Sequence, residues 1–244
     1  MLAAPLPVRD CPHIQGIDPC SSCEARKLSV CGSLAEDGLR RLAALADNLA
    51  VGEGAALVRE GDAAEHLFNI TSGSVRVYKL LPDGRRQIVG FLFAGDFLGL
   101  ATGDRYAFSA EALEPVTVCK FRKSAYRKLL VELPDLEAAL LERASHELAA
   151  AQEQMLLLGR KTAQERFATF LLDLAARVAR SGGEANMARL SMTRAEIADY
   201  LGLTTETISR VTSKLKTSGV IRLMSQSEIR IVQPDRLADL AEGA

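Results

Sequence analysis

The 244-residue sequence lacks three features that would each point directly to a class of protein. It contains no run of about 18 apolar residues, so it predicts no transmembrane helix. Its 30 lysines and arginines nearly balance 31 aspartates and glutamates, so the net charge indicates no particular partner. It has no P-loop, GxSxG, HExxH or dinucleotide-binding GxGxxG motif, and we therefore expect a protein that is not an enzyme.

The first residues, MLAAPLPVRD, lack the basic start and apolar core of a secretory signal peptide. We therefore expect a cytoplasmic protein with no membrane partner, in a compartment where thiols stay reduced. The sequence has five cysteines, an odd number that cannot pair completely. Four of them, Cys11, Cys20, Cys23 and Cys31, lie near the start of the chain. Clustered cysteines in a reducing compartment indicate metal ligands or redox sensors.

Composition divides the chain into four regions. Residues 1–33, here called the arm, hold the clustered cysteines and show no clear periodicity. Residues 34–134 begin with a helix predicted at about 34–49, and continue with short apolar runs bounded by glycine, which predict a small antiparallel barrel or sandwich. Residues 135–161 predict one long helix, and residues 162–244 are rich in helix caps.

The long helix has a narrow apolar seam, because its apolar residues recur at spacings of three and four. Such a narrow seam suits pairing with a second copy of the same helix, so we expect a homodimer. Packing of this helix on its own barrel is the alternative. The predicted dimerisation residues are Leu140, Ala144, Leu148, Ala151, Met155 and Leu158.

The C-terminal region has the pattern of a winged helix-turn-helix. The sequences TAQE at 162–165 and TRAE at 193–196 each place a threonine three residues before a glutamate, which is the form of a capping box. The helix that begins at 194 is separated from the next one only by a short segment around 202–203. Two short helices joined by such a turn place the second helix in the DNA major groove. The following VIRLMSQSEIRIV predicts two strands around a polar turn, that is, a wing.

The second helix of this motif carries side chains suited to reading DNA. Arg210 can bind guanine bidentately, Glu206 can accept a hydrogen bond from cytosine, and Ser209 can approach a thymine or a phosphate. Four basic residues stand against one acidic residue in 204–222, which suits a phosphate-binding face. An ordinary solvated helix hairpin is the alternative. The predicted DNA-contacting residues are Glu206, Ser209, Arg210, Thr205, Thr204 and Lys214.

The run MTRAEIADYLGLTTETISRVTSKLKTSG resembles the helix-turn-helix of the fumarate-and-nitrate-reduction (FNR-type) regulators, within the cyclic-AMP receptor protein superfamily. The segment at 155–175 is similar to the family's hinge, and GDFLGL at 95–100 to the end of its β-roll. The resemblance implies an α+β fold with an N-terminal β-roll of the cyclic-nucleotide-binding type (a double-stranded β-helix), a dimerisation helix and a C-terminal winged helix-turn-helix. It also implies a homodimeric transcription activator that binds TTGAT-type palindromes in promoter DNA and contacts RNA polymerase.

The sequence departs from the nucleotide-binding members of this superfamily at two β-roll positions. Those members place a glutamate after a glycine to bind ribose, and an arginine before a serine to bind the cyclic phosphate. Here Leu100 follows Gly99, and Phe108 precedes Ser109. A buried phosphate would lack a compensating cation, so we expect no cyclic nucleotide as the signal.

The cysteines are then the expected sensor. In the FNR-type regulators, three N-terminal cysteines and one β-roll cysteine hold an oxygen-labile [4Fe–4S] cluster, and oxygen is the signal. Cys20, Cys23, Cys31 and Cys119 match that set by position, and four cysteines are the usual ligands of such a cluster. Cys11 is the spare, and it is also a possible replacement for Cys20. Seven residues separate Cys23 from Cys31, where the best-known family spacing is five.

The same residues leave other sensors open. A Cys₄ zinc site would use the same thiols, although zinc sites usually draw pairs of ligands from two CxxC-type knuckles. A thiol–disulfide switch through Cys23 or Cys31 is a second alternative. Haem or another small effector on the same scaffold is a third, to which no distinctive residue points. His13, near Cys11, is a weak alternative ligand beside the cysteines.

Overall fold

The structure is a computed structural model and describes Cys20, residues 22–100 and residues 103–243. These residues form two compact units. The first unit comprises the described residues up to Lys79 and those within Val89–Ala144, and the second comprises Leu80–Ile88 and the described residues from Ser145 onward. No helix in these described stretches is long and apolar enough to cross a membrane.

Eight strands form two four-stranded sheets. They are β1 (Ala46–Val51), β2 (Ala56–Val58), β3 (His66–Ser72), β4 (Ser74–Leu80), β5 (Arg86–Phe93), β6 (Phe97–Leu98), β7 (Ser109–Ala112) and β8 (Val116–Arg122). Their order is β1-β8-β3-β6 in one sheet and β2-β7-β4-β5 in the other. Ile70 from the first sheet packs in one buried cluster with Val75 and Ala110 from the second, so the main core lies between the sheets.

A second apolar cluster, here called the helix-side cluster, covers the other face of the β1-β8-β3-β6 sheet. It includes side chains from α1 (Glu36–Ala43), α2 (Lys123–Glu132) and the first turns of α3 (Pro134–Arg160). Tyr126 is central to it, with its ring centroid 5.3 Å from that of Phe121 and 5.7 Å from that of Phe97. Side chains alternate along β8, so that Val118 faces the core between the sheets while Cys119 and Phe121 face the helix-side cluster.

The helix predicted at about 34–49 is wrong in its second half. The structure has α1 only over Glu36–Ala43, and β1 begins at Ala46. Strand β1 pairs along its whole length with β8, from Ala46 opposite Phe121 to Val51 opposite Val116. Pairing with β8 therefore outweighs the helical preference of this alanine- and leucine-rich stretch, since tertiary context overrides intrinsic propensity.

The second unit contains four helices after α3 and three short strands. They are α4 (Ala163–Arg180), β9 (Met187–Arg189), α5 (Arg194–Leu201), α6 (Thr205–Thr217), β10 (Ile221–Leu223), β11 (Glu228–Ile231) and α7 (Pro234–Glu242). Both predicted capping boxes are present, at the starts of α4 and α5. The predicted wing strands are β10 and β11, and β9 adds a third antiparallel strand that the sequence did not indicate.

Candidate nucleic-acid interface and thiol site

A tight turn joins α5 to α6. Gly202 ends α5 in the left-handed conformation, with a φ of 63°, which is where glycine is favoured after a helix. Thr204 then caps α6, because its Oγ1 accepts a hydrogen bond from the N–H of Thr207 at 3.2 Å. Ile208 and Leu215 are fully buried, so the same face of α6 is held against the domain along its length.

The opposite face of α6 presents the side chains predicted to read DNA. Glu206 and Arg210 are exposed, and neither side chain makes a hydrogen bond or an ion pair with any residue that the structure describes. The Ser209 hydroxyl donates to the carbonyl oxygen of Thr205 at 2.9 Å. The guanidinium of Arg210 is thus available to a base edge without first breaking an internal contact.

Two of the other residues predicted to contact DNA have structural partners. Besides capping α6, the Thr204 hydroxyl lies 2.9 Å from the hydroxyl of Thr207. The Nζ of Lys214 donates to Oε1 of Gln164 at 2.6 Å and so ties α6 to the first turn of α4. The side chains of Thr204 and Lys214 therefore help to fix the position of α6. Thr205, the remaining predicted residue, is exposed.

The cysteines of the arm lie beside Cys119 of β8. Cys23 immediately precedes a short 3₁₀ helix, and Cys31 lies within the next one. Cys20, Cys31 and Cys119 all pack against the helix-side cluster. Cys20, Cys23, Cys31 and Cys119 are all half-buried, and none forms a disulfide bond with a described residue. A strand residue and three residues of the arm, distant in sequence, are therefore neighbours in the fold.

Cys119 occupies the middle of a row of three polar residues that crosses three strands. It lies opposite Asn48 of β1 on one side and opposite Asn69 of β3 on the other. Its thiol donates to Oδ1 of Asn48 at 3.3 Å, and Nδ2 of Asn69 donates to the sulfur of Cys31 at 3.9 Å. Asn69 is only 2% exposed, and its Oδ1 makes no hydrogen bond within the described chain.

The surroundings of these thiols favour the protonated form. Burial raises the pKa of Cys119 to about 12, and repulsion from Cys31, Cys20 and Cys23 adds to the rise. Burial is also the main reason why the pKa of Cys31 is raised. Thiols with raised pKa values are poor nucleophiles at neutral pH, and a metal that binds them must displace their protons.

No group of three or more His, Cys, Asp or Glu side chains in the described part of the chain is arranged to hold a metal ion. Cys11 and His13, the spare and the weak alternative ligand, lie outside the described residues. A single zinc ion needs its sulfurs at about 2.3 Å from one centre. A cubane cluster instead takes each cysteine on a different iron, so its sulfur ligands stand farther apart.

Exposed apolar side chains form a stripe along α3. Leu141, Leu148 and Met155, spaced by seven residues, are 68%, 62% and 66% exposed. Leu140, predicted to lie in the dimer seam, instead packs against the helix-side cluster of its own chain. The other residues predicted for the seam, Ala144, Ala151 and Leu158, are exposed.

The two β-roll positions that differ from the nucleotide-binding pattern are taken up by apolar packing. Phe108 packs against the core between the sheets, and Leu100 packs against the helix-side cluster. The nearby Arg105 donates through Nη1 to the carbonyl oxygen of Gly61 at 2.6 Å. All three side chains thus make contacts within their own chain.

Two domain families match this chain. The cyclic nucleotide-binding domain matches residues 49–132, and the Crp-like helix-turn-helix domain matches residues 165–240. Together with the exposed face of α6, these matches define a DNA-binding transcription regulator and not an enzyme.

Relatives that match nearly the whole chain identify the family of transcription regulators to which it belongs. The transcriptional activatory protein AadR of Rhodopseudomonas palustris is 41% identical over 219 residues, covering 90% of this chain and 91% of AadR. The nitrogen fixation regulation protein FixK of Bradyrhizobium diazoefficiens is 41% identical over 234 residues, covering 94% of this chain and 98% of FixK. The solved structure of FixK2 from Bradyrhizobium japonicum has a TM-score of 0.74 at 38% identity, covering 80% of this chain and 96% of that one. The chain belongs to the Crp/Fnr family of transcription regulators, which confirms the resemblance and the predicted fold class.

Proposed function

We propose that this protein is an oxygen-responsive transcription activator in which Cys20, Cys23, Cys31 and Cys119 hold a [4Fe–4S] cluster. Under low oxygen the loaded protein forms a homodimer, binds TTGAT-type palindromes in promoters and engages RNA polymerase. One observation carries the proposal: three thiols of the arm lie beside the thiol of a β-roll strand, close enough for their charges to affect its pKa.

The donor set fits this cofactor. All four candidate ligands are sulfur atoms, as iron–sulfur clusters require. The amide of Asn69 already donates to the sulfur of Cys31, and hydrogen bonds of this kind orient and tune ligating sulfurs. When bound, the cluster would supply an oxygen-labile link between the arm and β8.

The alternatives receive less support from the same residues. A thiol–disulfide switch through Cys23 or Cys31 needs a reactive thiolate, but burial raises the pKa of Cys31, one of its two predicted thiols. Zinc sites usually draw pairs of ligands from two CxxC-type knuckles, whereas the fourth cysteine here stands alone on a strand. The apolar packing of Leu100 and Phe108 supports a sensor that does not use a cyclic nucleotide.

The apolar stripe on α3 supports the homodimer. Exposed apolar rows of this kind mark protein interfaces, and a repeat of seven suits a pair of helices. A two-fold dimer would present two copies of α6 to the two halves of a palindrome. Activation is supported by the names of two relatives, AadR and the transcriptional activator protein FnrL of Cereibacter sphaeroides, which is 34% identical over 227 residues.

The proposal is tested on anaerobically purified protein by iron and acid-labile sulfide analysis and by visible absorbance before and after exposure to air. We expect the wild type to contain iron and sulfide in the ratio of a [4Fe–4S] cluster, with absorbance that air removes. Cys119→Ala should lose the cluster because it removes the only ligand on a strand. Cys11→Ala, which removes the spare cysteine, is the matched control and should keep it.

Two outcomes would contradict the proposal. Full iron loading of Cys119→Ala would remove the strand cysteine from the ligand set. A colourless wild type that contains zinc after anaerobic purification would replace the cluster with a structural metal site.

A further inference from the structure

Arg166, in the first turn of α4, places its guanidinium among the backbone carbonyls of three segments. Its Nη2 donates to the carbonyl oxygen of Leu158 near the end of α3, and its Nε donates to that of Lys161, between α3 and α4. Its Nη1 donates to the carbonyl oxygen of Leu201, the last residue of α5, and all three distances are 2.9 Å. The last carbonyls of a helix have no partner within the helix. One side chain therefore satisfies the ends of two helices.

Other contacts converge on the same end of α5. The Nε2 of Gln154, on α3, donates to the carbonyl oxygen of Tyr200 at 3.2 Å. A Cβ at position 202 would lie 3.3 Å from Nη1 of Arg166 and 3.4 Å from Cδ2 of Leu158, so glycine leaves room for the guanidinium. The last two carbonyls of α5 are thus held by side chains from α3 and α4.

An arginine suits this position for two physical reasons. Its positive charge lies at the carbonyl ends of α3 and α5, where the helix dipoles are negative. Its planar group also fixes the directions of its N–H donors, so it can hold three carbonyls in one arrangement. Lysine would keep the charge at this position but lose the fixed directions.

We propose that Arg166 is a positioning residue that fixes the helix-turn-helix on the C-terminal part of α3, and that it thereby sets which half-site spacing a dimer accepts. The recognition helix α6 follows α5 after only three residues, so a shift at the end of α5 is passed on to α6. In a dimer, the two copies of α6 must reach half-sites about one turn of DNA apart. This inference rests on the proposed homodimer.

The experiment measures binding to palindromes with TTGAT half-sites whose central spacer varies by single base pairs, and to a duplex with one half-site, all at one salt concentration. Arg166→Gln removes the charge, and Arg166→Lys keeps it without the planar donors. Gln154→Leu removes the other contact with α5, as a second variant that leaves Arg166 in place. Arg160→Gln is the matched control, because Arg160 is exposed and its side chain makes no hydrogen bond or ion pair with a described residue. Circular dichroism verifies that each variant is folded.

We expect the wild type and Arg160→Gln to prefer one spacer sharply. In Arg166→Gln the preference for that spacer over its neighbours should fall by about tenfold, equivalent to about 1.4 kcal/mol, while binding to the single half-site stays unchanged. Arg166→Lys should resemble Arg166→Gln more than the wild type, because charge alone does not orient the carbonyls. Gln154→Leu should shift the preference in the same direction to a smaller extent.

Two results would overturn the inference. One is an unchanged spacer preference in folded Arg166→Gln and Gln154→Leu. The other is an equal loss of affinity for every spacer and for the single half-site, which would mean that Arg166 only stabilises the domain. If the wild type itself shows no spacer preference, the proposed dimeric function fails before any variant is compared.

Discussion

Replacing Leu148 by alanine removes an apolar side chain from the middle of the stripe on α3, at a position that is mostly exposed in the single chain. Three side-chain carbons disappear, and each buried CH₂ group contributes about 0.8 kcal/mol. Because 62% of Leu148 is exposed in the single chain, pairing can bury about that share, so the loss is about 1.5 kcal/mol per protomer. Both protomers carry the change, so the dimer should be weakened by about 3 kcal/mol, or roughly 100-fold in Kd.

Sedimentation equilibrium of the cluster-loaded protein under anaerobic conditions measures this change directly. Val131→Ala is the matched control, since Val131 is 84% exposed on α2, away from the stripe, and its replacement should leave the dimer unchanged. The thermal stability of a single chain should not fall in Leu148→Ala, because alanine favours the helix at an exposed position. An unchanged dimerisation constant in Leu148→Ala would refute the assignment of this stripe to the interface.

Two further predictions concern α6 and the start of α4. Arg210→Ala should reduce discrimination between a TTGAT palindrome and a scrambled one by about 1–3 kcal/mol, whereas Lys216→Ala should weaken binding to both alike. Titrations with the two duplexes measure this, and an unchanged ratio in Arg210→Ala would contradict the contact. Hydrogen bonds from Thr162 hold the pKa of Glu165 below its ordinary value of 4.5, so its stabilising effect is present above that value and is lost as pH falls through the lowered pKa. Lowering the pH from 7 to 3 should therefore reduce the Tm of the wild type more than that of Glu165→Gln, as measured by thermal unfolding. An equal fall in Tm for both proteins would argue against a stabilising role for this cap.

Local chemistry explains why the C-terminal region was predicted well. The capping boxes at Thr162 and Thr193 and the left-handed Gly202 depend on residues a few positions apart, which the sequence shows directly. Strand β9 and helix α7 were missed. Strand β9 has only three residues, and its identity as a strand depends on pairing with β11, more than thirty residues away.

Positions that depend on packing between distant segments were less predictable. Leu140 and Leu141 are adjacent on α3, yet Leu140 packs against the helix-side cluster of its own chain while Leu141 is 68% exposed. The role of Arg166 was also invisible, since its partners are backbone carbonyls that carry no sequence signal. The proximity of Cys119 to the arm followed from the family resemblance, whereas its place between Asn48 and Asn69 required the register of three strands.

The thiol site has two halves, Cys119 on β8 and the cysteines of the arm. The row formed by Asn48, Cys119 and Asn69 means that these halves differ in how well they tolerate changes in sequence position. A shift of β8 by one residue would turn Cys119 into the core between the sheets and bring Val118 to the helix side. The register of β8 in its sheet therefore sets the direction of this thiol. The arm has no such pairing register, because Cys23 precedes one short 3₁₀ helix and Cys31 lies within the next, outside both sheets. Loops tolerate insertions far better than paired strands. If these cysteines hold the proposed cluster, the spacing of the arm cysteines can therefore vary while the ligand set is kept, whereas a cysteine moved by one position along β8 would point to the opposite face of its sheet.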